Sequence, residues 1–92
     1  MGLSIEHVIQ IESKKSALAV LETQRKVYEA QIEIYKDEED SDLEIKLLEA
    51  SEEICVTSIM QLIREIADIQ DDGYSYAATA RDLGFSYLAY RI

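Results

Sequence analysis

The stretch KDEEDSDLE, residues 36–44, separates two long apolar patterns in the first seventy residues of the chain. Its run of charged residues interrupts both patterns. Within it, Ser41 and Glu44 have the spacing of a capping box, in which the two side chains satisfy free backbone N–H groups at the start of a helix. A second helix is therefore expected from about Asp42, and the short connection before it predicts that the two helices form an antiparallel hairpin.

Helices account for almost the whole chain. Proline is absent and only three glycines are present, so few residues oppose long helices. Apolar spacing predicts helices at about residues 5–36 and 42–70, and a shorter C-terminal helix at about 75–91, with Ser75 as its N-cap. We expect one all-α domain over residues 1–92, an antiparallel helical hairpin of two long helices plus the shorter C-terminal helix.

Each long helix has an apolar seam with the alternating three- and four-residue spacing of a coiled coil. In the first helix this seam consists of Leu18, Leu21, Tyr28, Ile32 and Tyr35. In the second helix it includes Ile59, Leu62 and Ile66. We expect these residues to form the core of the hairpin or of an oligomer built from it.

Each long helix also has a second apolar stripe. In the first helix the stripe is Ala17, Val20, Val27, Ala30 and Ile34. In the second helix it is Leu43, Leu47, Ala50 and Ile54. A hairpin covers one face of each helix and the short third helix covers only part of another, so an exposed apolar flank remains. We therefore expect a homo-oligomeric bundle, with a monomeric three-helix bundle as the alternative.

The chain is strongly acidic, with 19 acidic and 9 basic residues and a net charge of −10. Most of the excess acid precedes residue 73. Such a surface repels phosphate backbones, which argues against nucleic acid as a partner. The simplest interpretation is a solvated surface that keeps an apolar helical protein soluble. The alternative is that the acidic surface mimics nucleic acid and blocks a basic protein.

Cysteine usage and hydropathy indicate the compartment. Cys55 is the only cysteine, which excludes an internal disulfide and is typical of a reducing environment. No stretch approaches the ~18 uncharged residues that a transmembrane helix needs, and the first residues lack a signal-peptide pattern. We expect a cytoplasmic protein that does not use a membrane as its partner.

Five of the seven aromatic residues lie in the last twenty positions, together with two arginines. Tyrosine and arginine are enriched at interface hot spots, and they also suit a pocket that stacks on and neutralises a phosphorylated ligand. The candidate ligand- or partner-binding residues are Tyr74, Tyr76, Arg81, Tyr87, Tyr90 and Arg91. The alternative is that the tyrosines cap a small core and keep their hydroxyls in water.

The closing segment supports two structural interpretations. One set of residues is spaced four, three, four and three, which predicts one continuous helix. This set is Tyr76, Ala80, Leu83, Tyr87 and Tyr90. The sequence GFSY, residues 84–87, instead resembles the turn of bacterial helix-turn-helix repressors, with Ala80 four residues before Gly84. That resemblance implies a DNA regulator whose reading helix is Ser86–Ile92, with Arg91 as its one basic side chain.

The second helix contains the pattern ExxE followed by ExxD, formed by Glu49, Glu52, Glu65 and Asp68. It resembles the signature of the MazG-type nucleoside triphosphate pyrophosphatases, which implies four carboxylates on two facing helices that hold magnesium. Here no turn residue separates the two pairs, so all four acids lie on one helix and point in different directions. His7 is the only histidine, and we predict no catalytic residue, metal or cofactor.

The functional expectation follows from these surfaces. We expect a non-enzymatic, acidic helical interaction protein that acts as a homo-oligomer and binds a partner protein as an inhibitor or adaptor. The main alternative is a protein that sequesters a small phosphorylated or nucleotide-like ligand with its C-terminal Tyr and Arg residues at a subunit interface. A MazG-type pyrophosphatase and a helix-turn-helix DNA regulator are lesser alternatives.

Overall fold

The computed structural model describes residues 4–70 and 75–91, and its regular structure is helical. The elements are α1 (Ile5–Lys36), α2 (Asp42–Gln70), α3 (Tyr76–Asp82) and one turn of 3-10 helix (Ser86–Leu88). The described residues contain no strand. The two long helices pack together and a shorter helix follows, so the predicted all-α class is confirmed, and both long helices have the bounds expected from the sequence.

Contacts between residues divide the described chain into two compact units. The hairpin unit, Leu18–Ile59, contains the second half of α1, the connection and the first part of α2. The terminal unit contains residues 4–17, 60–70 and 75–91, so it adds α3 and the 3-10 turn to the remaining parts of the long helices.

Local hydrogen bonds explain where the long helices begin. The N–H of His7 donates to the Ser4 hydroxyl at 3.2 Å, which satisfies one of the free donors in the first turn of α1. At the connection, Asp40 has a φ of 59°, a left-handed conformation that Asp tolerates better than most residues. The N–H of Ile45 then donates to the Ser41 carbonyl at 3.0 Å in the first turn of α2.

The core of the hairpin unit lies between its two helices. Leu18 and Ile32 of α1 are buried, as are Cys55, Val56 and Ile59 of α2. The remaining seam residues of α1 are partly buried: Leu21, Tyr28 and Tyr35. A fully buried aliphatic side chain contributes about 1.5–3 kcal/mol, so this seam is the main stabilising feature of the unit.

The terminal unit has its own core. Ile63 and Ile66 of α2 are fully buried, and Ile11 of α1 is also buried. Ala80 of α3 and Leu88 of the 3-10 turn are buried in the same unit. The remaining predicted seam residue is partly buried: Leu62. The C-terminal segment thus covers apolar residues at this end of α2, as the sequence suggested for a short third element.

The predicted continuous helix at 75–91 is wrong beyond Asp82. Ser75 caps α3 as expected, because its hydroxyl accepts the N–H of Ala78 at 3.1 Å. The helix then stops because Gly84 adopts a φ of 89°, a left-handed conformation that ends a helix and that glycine adopts without steric cost.

The break changes which side chains of the segment face the core. Phe85, Leu88 and Ala89 are buried, whereas Tyr87 and Tyr90, which the helical spacing placed in a seam, are exposed. Residues after Gly84 form only the 3-10 turn Ser86–Leu88, so the structure does not contain the reading helix that the repressor resemblance implies in this stretch.

Candidate functional site

Arg81 and Tyr90 contact each other across the break at Gly84. The guanidinium carbon of Arg81 lies 5.0 Å from the centre of the Tyr90 ring, within the range of a cation–π interaction. An Nη atom of Arg81 also donates a hydrogen bond to the Tyr90 hydroxyl. Both side chains are exposed. The turn therefore brings together two of the residues that the sequence singled out.

Tyr76 forms a second pair, with Arg64 of α2. The guanidinium carbon of Arg64 lies 5.6 Å from the centre of the Tyr76 ring. The Tyr76 hydroxyl is buried and has no hydrogen-bond partner among the described residues. Its burial raises the pKa of this hydroxyl above the ordinary value, and the positive charges of Arg64 and Arg91 oppose the rise.

Arg64 is a site residue that the sequence analysis missed. It lies on α2 one residue after the fully buried Ile63, in a stretch where apolar spacing marks only the core. Its partner Tyr76 is twelve positions further along and in another helix. No local pattern in the sequence connects the two residues, so the pairing depends on the tertiary packing of the terminal unit.

The other candidate residues are placed as follows. Tyr87 is exposed, and the centre of its ring lies 6.2 Å from that of Phe85. Arg91 is exposed and close enough to Tyr76 for its charge to affect the pKa of the hydroxyl. Tyr74 lies outside the described residues. Tyr76 and Tyr90 thus contact arginines, and Tyr87 lies beside Phe85, instead of forming the helical seam that was expected.

Glu65, one acid of the ExxE…ExxD pattern, forms an ion pair with α1. Its Oε1 lies 2.7 Å from Nζ of Lys14, and Nε2 of Gln61 donates to its other oxygen at 3.2 Å. The hydrogen bond from Lys14 is the main reason that the pKa of Glu65 lies below its ordinary value, and the one from Gln61 lowers it further. This carboxylate already has a cationic partner within its own unit.

The four acids of that pattern are distributed along one helix, as the absence of a turn residue predicted. All are on α2; Glu49 and Glu52 belong to the hairpin unit, and Glu65 and Asp68 to the terminal unit. Across residues 4–70 and 75–91, no group of three or more carboxylate, imidazole or thiol side chains is placed to hold one metal ion.

A charged groove lies between α1 and α2 on one side of the hairpin unit. Its volume is about 310 Å³, and its lining residues are Arg25, Glu29, Ile32, Glu33, Lys36, Glu49 and Glu52. Arg25 forms ion pairs with Glu22 at 2.5 Å and with Glu29 at 2.8 Å. Lys36 pairs with Glu33 at 3.0 Å, and this hydrogen bond is the main cause that raises the pKa of Lys36 above its ordinary value.

Each helix of the hairpin unit also has an exposed apolar side that points away from the charged groove. Val27 is two residues before Glu29, and Leu47 is two before Glu49, which in a helix is a rotation of about 200°. Since Glu29 and Glu49 line the charged groove, Val27 and Leu47 point away from it. We call this outward side of each helix its uncharged face, and the large side chains of the two faces, each 46–68 % exposed, are Val20, Val27 and Ile34 on α1 and Leu43, Leu47 and Ile54 on α2.

Each uncharged face repeats the spacing of a coiled coil. On α1 the repeat, with intervals of three and four, is Val20, Thr23, Val27, Ala30 and Ile34. On α2 it is Leu43, Leu47, Ala50, Ile54 and Thr57. All ten side chains are exposed and none is charged. Each helix of the hairpin unit thus has one seam that packs within the unit and a second seam whose side chains are exposed.

Comparison of the chain with protein-family models, with curated proteins and with solved structures finds no match. In the part of the chain that the structure describes, no helix has both the length and the apolar composition required to cross a membrane. The candidate interaction sites are therefore the uncharged faces of the two helices and the arginine–tyrosine pairs.

Proposed function

We propose that this chain is a non-enzymatic, acidic helical interaction protein that acts as a homo-oligomer and binds a partner protein as an inhibitor or adaptor. The uncharged faces are the observation that supports it best. Single exposed aliphatic residues are ordinary on a protein surface, whereas a continuous stripe of them marks an interaction surface. Here six large aliphatic side chains of one hairpin unit are 46–68 % exposed.

The spacing of each face favours a helical interaction. Intervals of three and four residues keep side chains in line along a helix, which is the pattern that packs against another helix. Large residues such as Val27 and Ile34 alternate with the small residues Thr23 and Ala30. Such alternation allows side chains from two helices to interdigitate.

The charged surface favours a protein partner of opposite sign. The chain has a net charge of −10, and four glutamates line the groove between α1 and α2 in the hairpin unit. Complementary charge accelerates the encounter of two proteins and disfavours partners of the same sign. A basic protein is therefore the proposed partner, and it would meet the charged groove rather than the uncharged faces.

Two further observations agree with a non-enzymatic protein of the cytoplasm. Glu65, one of the carboxylates of the pyrophosphatase pattern, is engaged by Lys14. Cys55 is a free thiol buried in the hairpin unit, which suits a reducing compartment.

Native mass spectrometry and light scattering of the purified protein test the oligomer. We expect one discrete oligomer, and a single monomer species at micromolar concentration would contradict the proposal.

A decalysine probe tests the charged surface. Binding of the peptide is expected at low salt, and it should weaken as added salt screens the charges. If the peptide does not bind at low salt, the proposal of a basic partner protein is excluded.

The enzymatic alternative has its own assay. We expect no magnesium-dependent hydrolysis of nucleoside triphosphates by the purified protein. Turnover that is lost with Glu52→Gln but kept with the neighbouring control Glu53→Gln would instead support an activity of the pyrophosphatase type.

A second candidate function is the capture of a small phosphorylated ligand by the terminal unit. The pairs Arg64–Tyr76 and Arg81–Tyr90 favour it, because each combines a cation with an aromatic ring. Titration with inorganic phosphate and with AMP, followed by amide chemical shifts, tests it. If the terminal unit binds the ligand, its amide shifts should saturate in the wild type. Arg81→Ala should abolish these shifts, and the control Lys26→Ala, in the hairpin unit, should retain them. The absence of shifts in the wild type would exclude this function.

A further inference from the structure

We propose that the uncharged face of α1 packs antiparallel against the uncharged face of α2 in a second copy of this chain. On each helix the face lies roughly 140° or more around the axis from the buried seam. The two faces are therefore on opposite outer edges of the hairpin unit, and one copy cannot bring them together. The inference rests on the homo-oligomer proposed above and adds the contact through which it forms.

The spacing of the two faces selects this pairing. Along α1 the intervals between exposed positions are three, four, three and four, and along α2 they are four, three, four and three. Antiparallel helices run in opposite directions, so the repeat of α1 matches the reversed repeat of α2 at all five positions. The pairs are Val20 with Thr57, Thr23 with Ile54, Val27 with Ala50, Ala30 with Leu47, and Ile34 with Leu43. Neither repeat equals its own reverse, so an antiparallel contact between identical faces would align only four positions.

The sizes of the side chains agree with this alignment. Four of the five pairs join a large residue to a small one, which allows two helices to interdigitate. Each face also has a shallow depression, of about 360 Å³ beside Thr23 on α1 and about 400 Å³ beside Ala50 on α2. The alignment places these depressions opposite each other, so that Ile54 of the second copy enters the one at Thr23 and Val27 enters the one at Ala50. A parallel contact between identical faces would instead place large residues against large ones.

The charges beside the two faces complement each other in the same alignment. Each face has one lysine and one glutamate on the same flank, and all four are exposed: Lys26 and Glu33 on α1, Lys46 and Glu53 on α2. The antiparallel contact places Lys26 beside Glu53 of the second copy, and it places Glu33 beside Lys46. Charges at these flanking positions determine partner and orientation. Although the net charge of each copy is −10, the flanking charges attract rather than repel.

A contact between two different faces joins copies in series. Each copy uses its α1 face on one neighbour and its α2 face on another, so two copies cannot satisfy both faces. Both faces point away from the charged groove, so successive hairpins curve towards the side opposite the groove and three or more copies can close a ring. The grooves then lie on the outside, where a basic partner protein can reach them.

A pair of matched variants tests the contact. Val27→Glu places a charge in it, and Val8→Glu makes the same change at a valine of the terminal unit; both residues are 46 % exposed. We expect native mass spectrometry and light scattering to show an assembly of three or more copies for the wild type and for Val8→Glu. For Val27→Glu we expect a monomer with the helical content of the wild type and a dissociation constant higher by roughly a hundredfold, since a buried unpaired charge is costly.

Cysteine variants test which faces meet. Val27→Cys combined with Ala50→Cys should form disulfides between copies under mild oxidation, because the alignment pairs these two positions. The wild type, whose Cys55 is buried, and each single variant are the controls and should not cross-link. Cross-linking of either single variant would show that identical faces meet, and it would overturn the pairing of α1 with α2.

Other outcomes distinguish the two proposals. A wild-type monomer would overturn the homo-oligomer and this inference together. A wild-type dimer, or an assembly that persists in both Val27→Glu and Leu47→Glu, would overturn the assigned contact alone. Should the glutamate variants lose their helical content, the cysteine variants supply the test. A wild-type assembly whose double cysteine variant forms no disulfide between copies would also overturn the assigned contact.

Discussion

The N–H of Phe85 donates a hydrogen bond of 2.7 Å to the carbonyl of Ala80, across the left-handed residue Gly84. The N–H of Gly84 donates to the carbonyl of Arg81 at 3.1 Å. These two bonds form a Schellman motif, which satisfies the last carbonyls of a helix as the chain leaves it. The motif ends α3 and places Phe85 in the core of the terminal unit, so the conformation of Gly84 determines the course of the closing segment.

Replacing Gly84 with alanine is expected to lower the free energy of unfolding by about 1–2 kcal/mol, the cost of a left-handed conformation for an L-residue. No atom lies within 4 Å of the position of an added Cβ, so the cost arises from the backbone alone. Gly84→Asn is the control and should lose less, because Asn tolerates this conformation. Urea unfolding measures both, and a Gly84→Ala variant more stable than wild type would instead support the continuous helix.

The helix starts and the reversal between the two long helices were predictable because their signals are local. Ser4 and Ser75 are short polar residues that accept backbone N–H groups at helix starts, and both do so in the structure. The acidic run before Ser41 breaks the apolar pattern where the chain reverses. Capping and breaking depend on neighbours within about four residues, so a single sequence contains the information required.

The C-terminal segment was not predictable from periodicity. The spacing of Tyr76, Ala80 and Leu83 continues through Gly84 to Tyr87 and Tyr90, although the helix does not. Whether a glycine continues a helix or ends it depends on what the following residues can bury, here Phe85 and Leu88. That gain comes from contacts within the terminal unit, which the sequence of the segment alone does not reveal.

The candidate surfaces were predictable to different degrees. The exposed stripes of Val27 and Leu47 follow from helical geometry once the seam is known, and the structure leaves both exposed. The pairing of Arg64 with Tyr76 depends on how α3 returns to α2, a tertiary relation between distant positions. Sequence reasoning therefore identified the tyrosines and missed one of the two arginines that contact them.

The Arg81–Tyr90 pair is expected to stabilise the segment weakly. Both side chains are exposed, and an exposed cation–π contact contributes about 0.5–1 kcal/mol. A double-mutant cycle with Arg81→Ala and Tyr90→Leu should yield a coupling energy in this range. The same cycle with Tyr87→Leu, whose ring lies beside Phe85, is the control and should show no coupling to Arg81. Equal coupling in both cycles would mean that the pair has no specific contribution.

Tyr76→Phe is expected to maintain or increase stability at neutral pH, because it removes a buried hydroxyl that has no hydrogen-bond partner in the described structure. Burial raises the pKa of Tyr76 above the ordinary value of 10.0, so the folded state holds the phenolic proton more tightly than the unfolded state. The stability linked to this proton is fully present below pH 10.0 and is lost as the pH rises through the higher folded-state pKa. Thermal unfolding at pH 7 and pH 11 should therefore show a larger loss for wild type than for the variant; the reverse order would refute the assignment.

The ion pair between Lys14 and Glu65 is expected to make stability depend on acidity. The folded-state pKa of Glu65 lies below its ordinary value of 4.5, so the pair stabilises the protein above that pH and its contribution disappears as the pH falls through the folded-state pKa. Glu65→Gln should therefore unfold at a lower temperature than wild type at pH 7, and the difference should shrink at pH 3. Glu12→Gln is the control, because Oε1 of Glu12 lies 3.5 Å from Nζ of Lys15 in an exposed ion pair within one helix. Exposed pairs of this kind contribute little to stability. A difference between wild type and Glu65→Gln that is as large at pH 3 as at pH 7 would show that Glu65 acts through packing rather than through its charge.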